Sequence, residues 1–208
     1  MSESTWLTQL KRLHAIAESG LAFSPEPFDV ERYQEISLIV RQMLANITQL
    51  PIEPVNSLIT PYHRRYVTPQ VEVRGALFHE DKVLLVREKS DGKWTLPGGY
   101  ADVGLTPVEN ICKEVQEEAN VIVDNCSLVS IRRKGSGPYD ADIREFYKLI
   151  FLCHCTGDIE PKGGHETDEA EFFSLNDLPI LSTGRTIVRD IFDAKTCLDD
   201  TNTPVIVD

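Results

Sequence analysis

Glu114, Glu117 and Glu118 stand three and four residues apart inside Thr106–Ala119, a segment with helical periodicity. Residues at those spacings are neighbours on a helix surface. The three carboxylates therefore share one sector beside the apolar stripe Val108, Ile111, Cys112, Val115 and Ala119, and Glu109 falls on the opposite flank. Like charges so placed cost a helix roughly 0.2–0.5 kcal/mol per pair, and partial burial adds to that cost unless a cation sits among them. Clustered carboxylate oxygens suit a hard divalent ion such as Mg²⁺, which keeps some of its waters and is commonly shared with substrate phosphates. Taken alone, an acidic helix face is more often simply solvated, so the neighbouring residues must decide.

The helix is well specified. Thr106 can accept from the first free amides, Pro107 is tolerated at the first helical position, and Glu109 can answer the cap. Upstream, Leu96-Pro97-Gly98-Gly99-Tyr100-Ala101-Asp102-Val103-Gly104 carries paired glycines, which let backbone approach a ligand and leave carbonyls to face an ion. Gly99, then Lys113-Glu114-Val115-Gln116-Glu117-Glu118 and the apolar Val121, form a string that resembles the Nudix box. Three positions depart from that pattern. Leu105 stands where the family has its first Glu, Lys113 where it has Arg, and Asn120 where it has Gly. Asn also tolerates the left-handed conformation that ends a helix. Lys keeps the charge of Arg but loses its planar fork.

The resemblance implies an α/β (α+β) fold, a Nudix-type α/β/α sandwich with a mixed sheet. It implies hydrolysis of a nucleoside diphosphate linked to another group, X, with Mg²⁺ or Mn²⁺ held by the box helix. By the same resemblance the metal ligands are Glu114, Glu117, Glu118 and the Gly98 carbonyl, and Lys113 orients the acidic cluster. The chemistry is coherent, because a pyrophosphate linkage already bears negative oxygens, and metal ions neutralise that charge and lower the pKa of a bound water. Family members often draw a general base from a later loop. In His165-Glu166-Thr167-Asp168-Glu169-Ala170-Glu171, Glu169 is the first choice and Glu166 the second. Arg74, on an expected strand, and Asp102, in the glycine loop, are candidate substrate contacts; a surface ion pair and a loop-shaping role are the plainer alternatives.

A substrate-hydrolysing Nudix chain is the first expectation. A hydrolase of nucleoside triphosphates or RNA ends, and a non-catalytic nucleotide sensor, are the alternatives. All three helix glutamates are kept and no basic recognition face accompanies them, which favours the enzyme.

The elements around the helix follow from period and punctuation. Val71–Phe78 and Val83–Val86 read as a hairpin, Trp94–Leu96 as a short strand, and Ser127–Arg133, Glu145–His154 and Glu171–Ser174 as further strands, with a last helix near Thr183–Ala194. Such an order suggests a mixed sheet covered by helices. Before them, Thr5–Glu18 is expected to be one helix stopped at Ser19-Gly20. Asp29 caps a second helix, whose stripe is Val30, Tyr33, Ile36, Val40, Met43 and Ile47. Pro51, Pro54 and Thr60-Pro61 punctuate the chain behind it. The expected organisation is a helical subdomain at residues 1–67, a Nudix domain at 68–200 and a polar tail at 201–208. Two amphipathic helices alone are marginal, so they should pack on the rest of the chain or on a second copy. Together with Lys89–Trp94 and Ala101–Gly104, this helical unit resembles the bacterial Nudix subgroup that includes CDP-choline pyrophosphatase, whose members are dimers. The resemblance thus implies a homodimer, and a substrate of the CDP-choline or ADP-ribose type.

The 208 residues suit one domain with a small appendage, and 41% hydrophobic residues is an ordinary globular balance. A net charge of −12 opposes binding to duplex DNA and to anionic membrane surfaces. No apolar run approaches the ~20 residues a membrane-spanning helix needs. Five cysteines without paired spacing, and no signal-like start, point to a reducing cytoplasm. Cys153-His154-Cys155 reads as a strand rather than a zinc site, since neighbours on a strand alternate faces. Arg132-Arg133-Lys134 is a short basic cluster, expected to be a solvated turn, with a contact to phosphate or single-stranded RNA as the alternative.

Overall fold

The computed structural model describes residues 5–48, 55–56, 66–156 and 159–208. They form two compact units, one built on the chain up to Gln70 together with 141–145, the other on 71–140 and 146–208. The expected punctuation at Pro51, Pro54 and Thr60-Pro61 lies outside the described residues. No helix among the described residues is long and apolar enough to cross a membrane.

The first unit contains α1 (Thr5–Phe23) and α2 (Pro27–Thr48). Gly20 does not stop α1 as the sequence suggested. Its missing side chain makes room for the Tyr33 ring, whose carbons would lie 2.5 Å from a Cβ placed there. α2 begins two residues before Asp29, with Pro27 in the first turn, where its missing N–H costs nothing. Asp29 pairs with Arg32 at 2.7 Å instead of capping. The buried face of the unit is Leu7, Leu10, Val40, Leu44, Ala45, Val55 and Ile143. Of the expected α2 stripe, Val40 is buried, whereas Ile36, Met43 and Ile47 are exposed. A polar seam replaces part of it, in which Glu18 accepts from Ser37 Oγ at 2.7 Å and from Arg41 at 3.1 Å.

The second unit is a seven-stranded sheet in the order β3-β2-β1-β5-β4-β7, with β6 also pairing β2. Its strands are β1 (Gln70–His79), β2 (Lys82–Glu88), β3 (Trp94–Thr95), β4 (Asn125–Arg133), β5 (Phe146–His154), β6 (Thr167–Ser174) and β7 (Ile206–Val207). Glu80 and Asp81 turn the β1–β2 hairpin with φ of 47° and 61°, the twist a tight two-residue hairpin requires. β2 pairs antiparallel with β6, β4 antiparallel with β5 and parallel with β7, so the sheet is mixed.

Side chains alternate across the sheet as the strand period dictates. Leu84 and Val86 of β2 join Ile111, Val115 and Ala119 of α3 (Pro107–Ala119) in one core. Val83 and Leu85 join Ile191 and Ala194 of α4 (Val188–Asp199) in the other. Each fully buried Val, Leu or Ile contributes about 1.5–3 kcal/mol. The expected α/β/α sandwich with a mixed sheet is the observed one. α4 starts five residues later than its sequence pattern suggested, because Arg185 N and Thr186 N close a turn onto the Ser182 carbonyl at 2.8 and 2.9 Å. The expected polar tail is also partly structured. Ile206 and Val207 extend the sheet, and Asp208 accepts from Arg132 at 3.2 Å. Arg132 is 3% exposed and also pairs with Asp193, so this member of the basic cluster is a buried structural cation and not a solvated turn.

Candidate active site

α3 is set by its ends. Thr106 accepts from Glu109 N–H at 3.2 Å while the Glu109 carboxylate accepts from Thr106 N–H at 2.7 Å, and Asn120 closes the helix in the left-handed conformation at φ 55°. Buried Asn110 ties the glycine loop to the helix, accepting from Asp102 N–H at 2.7 Å and donating to Thr106 O at 3.1 Å. Leu105 lies in this loop, 39% exposed, so the loop is held by Asn110 and the cap without an acid at that position.

The two glycines are required for different reasons. Gly98 has φ 145°, and a Cβ there would lie 2.1 Å from the Val73 carbonyl oxygen of β1. Gly99 would put a Cβ 2.8 Å from Glu114 Oε1. The loop docks along β1 through Val73 N–H to Gly99 O and Gly75 N–H to Pro97 O, both 2.9 Å. Gly98 N–H in turn donates to Glu118 Oε2 at 2.8 Å, so the glycine loop and the acidic helix are bonded directly.

Between them opens a cavity of about 620 Å³. It is lined by Glu114, Glu117, Glu118, Lys113, Gly98, Gly99, Tyr100, Asp102 and Arg74, and by Glu88, His165, Glu166 and Arg185. Most residues singled out in the sequence therefore converge on one cleft. Glu169 does not. It lies on β6 opposite Arg87, with which it pairs at 2.9 Å on the exposed surface, whereas Glu166, the second choice, lines the cavity.

Six carboxylates and three permanent cations face this space. Burial pushes the Glu118 carboxyl up to about 7, against the pull of Arg74 and of Gly98 N–H and with the repulsion of Glu88 and Glu114. Burial also raises Glu114 and Glu88. Arg74 is held in place, its Nε donating to Glu72 at 2.7 Å and its Nη1 to Leu96 O at 3.0 Å. Glu72 is locked from the other side by buried Lys148 at 2.7 Å. Burial disfavours the Glu72 charge, but Arg74 and Lys148 outweigh it and hold the group near 2. Lys113 donates to Asp102 at 2.9 Å and pairs with Glu117 at 3.2 Å, and these bonds raise its pKa.

An oxygen-only set of crowded, desolvated carboxylates has the chemistry of a hard divalent cation site, and the excess negative charge is what such an ion would neutralise. Among the described residues no three of these groups already converge as they would around an ion, because Glu117 is turned to Lys113 and Glu118 to Gly98 N–H. The donors fit such an ion, and the pair that holds Glu117 is exposed and worth about 0–1 kcal/mol.

Sequence reasoning missed Glu88, His165 and Arg185 as cavity residues. Arg185 pairs with Glu88 at 3.1 Å and donates to Ser182 and Ser90 at 2.9 and 3.0 Å, closing the far wall. A signal for the His165 loop was present in Gly163-Gly164. A Cβ on Gly164 would lie 1.7 Å from Glu117 O, so the loop touches the α3 backbone, and Thr167 Oγ1 fixes it by donating to Glu118 O at 2.6 Å.

Comparison with known proteins follows the same line. Residues 68–193 match the family model described as the NUDIX domain, and residues 4–59 match one described as a UDP-X-like, N-terminal oligomerisation domain. The chain belongs to the Nudix family, and the expectation of a Nudix pyrophosphohydrolase stands. It is 37% identical over 183 residues to a putative ADP-ribose pyrophosphatase, YjhB, of Bacillus subtilis, covering 88% of this chain and 87% of that protein. Among solved structures it is similar to an ADP-ribose pyrophosphatase from Streptococcus suis, at TM-score 0.59 and 33% identity over 68% of this chain and 100% of the other. A UDP-X diphosphatase matches at TM-score 0.59 and 28% identity, with 100% of both chains covered.

Proposed function

We propose that this protein cleaves the pyrophosphate bond of a nucleoside diphosphate linked to X, with Mg²⁺ or Mn²⁺, releasing a nucleoside monophosphate and phospho-X. The observation that carries it is the direct buried bond between Gly98 N–H and Glu118 in a cleft that Glu114 and Glu117 also line. ADP-ribose is the preferred substrate type, a reading supported by the names of the two pyrophosphatase relatives. CDP-choline and a UDP-linked compound are the comparators.

Glu114, Glu117, Glu118 and the Gly98 carbonyl are the groups to hold the ion, which when bound neutralises phosphate charge and acidifies a water. Lys113 orients Glu117 and Asp102. Glu166 takes the place first given to Glu169 and accepts the proton of the attacking water. Arg74, fixed by Glu72, and the rim residue Asp102 orient the substrate. Homodimerisation through the helical unit is part of the same reading, supported by the exposed Trp6, Phe23, Phe28 and Leu38. A cytoplasmic location is supported by five unpaired cysteines.

The test is product chromatography after incubation with ADP-ribose, CDP-choline, a UDP-sugar and a nucleoside triphosphate, each with Mg²⁺ and with chelator. AMP and ribose phosphate appearing only with metal are expected. If every substrate stays intact with Mg²⁺ and with Mn²⁺, the hydrolase reading falls and a nucleotide sensor replaces it. Sedimentation velocity checks the dimer.

A further inference from the structure

Three of the five cysteines meet on the far side of α3 from the carboxylates. Cys126 is the second residue of β4, Cys153 lies near the end of β5, and Cys112 packs against the core from α3. The Cys126 sulfur is 3.4 Å from that of Cys153 and 3.8 Å from that of Cys112. Cys126 and Cys153 are direct partners across the antiparallel ladder. Directly opposed residues share a face of the sheet and have Cα atoms about 4.5–5.5 Å apart, inside the 4.4–6.8 Å range that a disulfide spans. The pairing therefore puts the two Cα atoms in the range a disulfide spans, and the sulfurs have to close from 3.4 Å to about 2.05 Å.

Gly75 of β1 lies against Cys153, where any Cβ would come within 2.9 Å of the sulfur. Cys153 is 1% exposed, whereas Cys126 is half-buried and reachable from solvent.

We propose that Cys126 is a modification site for hydroperoxides, and that Cys153 converts the oxidised Cys126 into a disulfide across β4 and β5. In the first step the Cys126 sulfur attacks a peroxide oxygen. The S–O bond forms, the O–O bond breaks, and sulfur gives up two electrons as the peroxide leaves as water or an alcohol. In the second step the Cys153 sulfur attacks the Cys126 sulfenic acid. The S–S bond forms, the S–O bond breaks, and hydroxide departs as water with the Cys153 proton. With hydrogen peroxide the sum is two thiols and one peroxide giving one disulfide and two waters.

Thiolate character at Cys126 has a local source. The Cys126 thiol lies within hydrogen-bond distance of the Cys153 sulfur, and this contact, with one to Cys112, outweighs burial and lowers the Cys126 pKa. Burial pushes Cys112, Cys155 and Cys197 up. The thiolate is the form that reacts, and Cys126 is the partly exposed member of the cross-strand pair, with a second sulfur 3.4 Å away.

The experiment uses the full chain, reduced and then freed of reductant. Hydrogen peroxide should lower the thiol count from five to three, reversibly with dithiothreitol, and a non-reducing peptide map should show Cys126 joined to Cys153. Cys153→Ser should leave Cys126 as a sulfenic acid trapped by dimedone. Rapid iodoacetamide labelling of the unmodified chain at neutral pH, which needs no variant, should mark Cys126 before the other four. Labelling spread evenly over the cysteines, a Cys112–Cys126 crosslink, or an unchanged thiol count would each overturn the proposal.

Discussion

Gly99 is a glycine because Glu114 fills the space in front of it. An ideal Cβ at residue 99 would stand 2.8 Å from Oε1 and 3.1 Å from the carboxylate carbon of Glu114. The loop and the helix are thus fitted to each other at the two positions that the box pattern joins.

Gly99→Ala should therefore push the Glu114 carboxylate aside without unfolding the domain. A displacement near 1 Å at a reacting centre costs about 10²-fold in turnover, and a fall of that order in kcat with an unaltered circular dichroism spectrum is expected. Gly98→Ala should do more, since its left-handed backbone adds strain of about 1–3 kcal/mol and its Cβ collides with β1. A lowered melting midpoint should separate the two variants.

Glu117→Gln should reduce kcat at least ~10²-fold, the scale of a lost metal-bound acid or base. The melting midpoint should barely move, because the pair with Lys113 is exposed. Near-normal turnover would remove Glu117 from the metal assignment.

The position of Glu166 in the cavity and of Glu169 outside it makes a paired test. Glu166→Gln should lower kcat by about 10²-fold or more, as loss of a general base does. Glu169→Gln should leave kcat within about twofold and cost no more than the ~0–1 kcal/mol of an exposed ion pair. A greater loss in Glu169→Gln than in Glu166→Gln would return the base to the original choice.

Glu118 should be a destabilising residue in the metal-free protein. Its carboxyl is raised from the ordinary 4.5 to about 7, so the folded chain retains a proton that the unfolded chain releases between those values. Stability in chelator should accordingly fall as pH rises through that window. Glu118→Gln should flatten the dependence and raise neutral-pH stability by on the order of 1–3 kcal/mol, while abolishing turnover. Melting midpoints measured against pH for both proteins decide it; an identical slope would show that burial is not acting on this group.

The parts of the site legible in the sequence were those written in local code. The Thr106–Glu109 cap, the stripe under α3 and the three glutamates depend on helical spacing alone, and the fold places them as that spacing requires. The far wall is not local. Glu88 and Arg185 face the glutamates because β2 lies beside β6 and a turn follows it, and no spacing rule reports which strands are neighbours. The position of Glu169 outside the cavity was not legible for the same reason, since register alone sets it opposite Arg87. In α2 the apolar residues occupy more than one face, so periodicity identified the helix without deciding which face is covered. The start of α4 depended on a turn at Ser182 whose residues read equally well as helix.

The pairing of β2 with β6, from Lys82 opposite Ser174 to Glu88 opposite Thr167, also sets the order in which the cleft can exist. α3 and the β1–β2 hairpin need only nearby chain, whereas this ladder closes a long loop and bears its entropic cost before any contact repays it. A chain emerging from the ribosome thus carries its acidic helix well before it carries the opposing wall. Until Thr167 reaches the Glu118 carbonyl and Arg185 reaches Glu88, there is no enclosed space in which to neutralise a diphosphate. The cleft is assembled late, so nascent chains and chains truncated before residue 185 should be inert toward nucleotides even where the box helix is already formed.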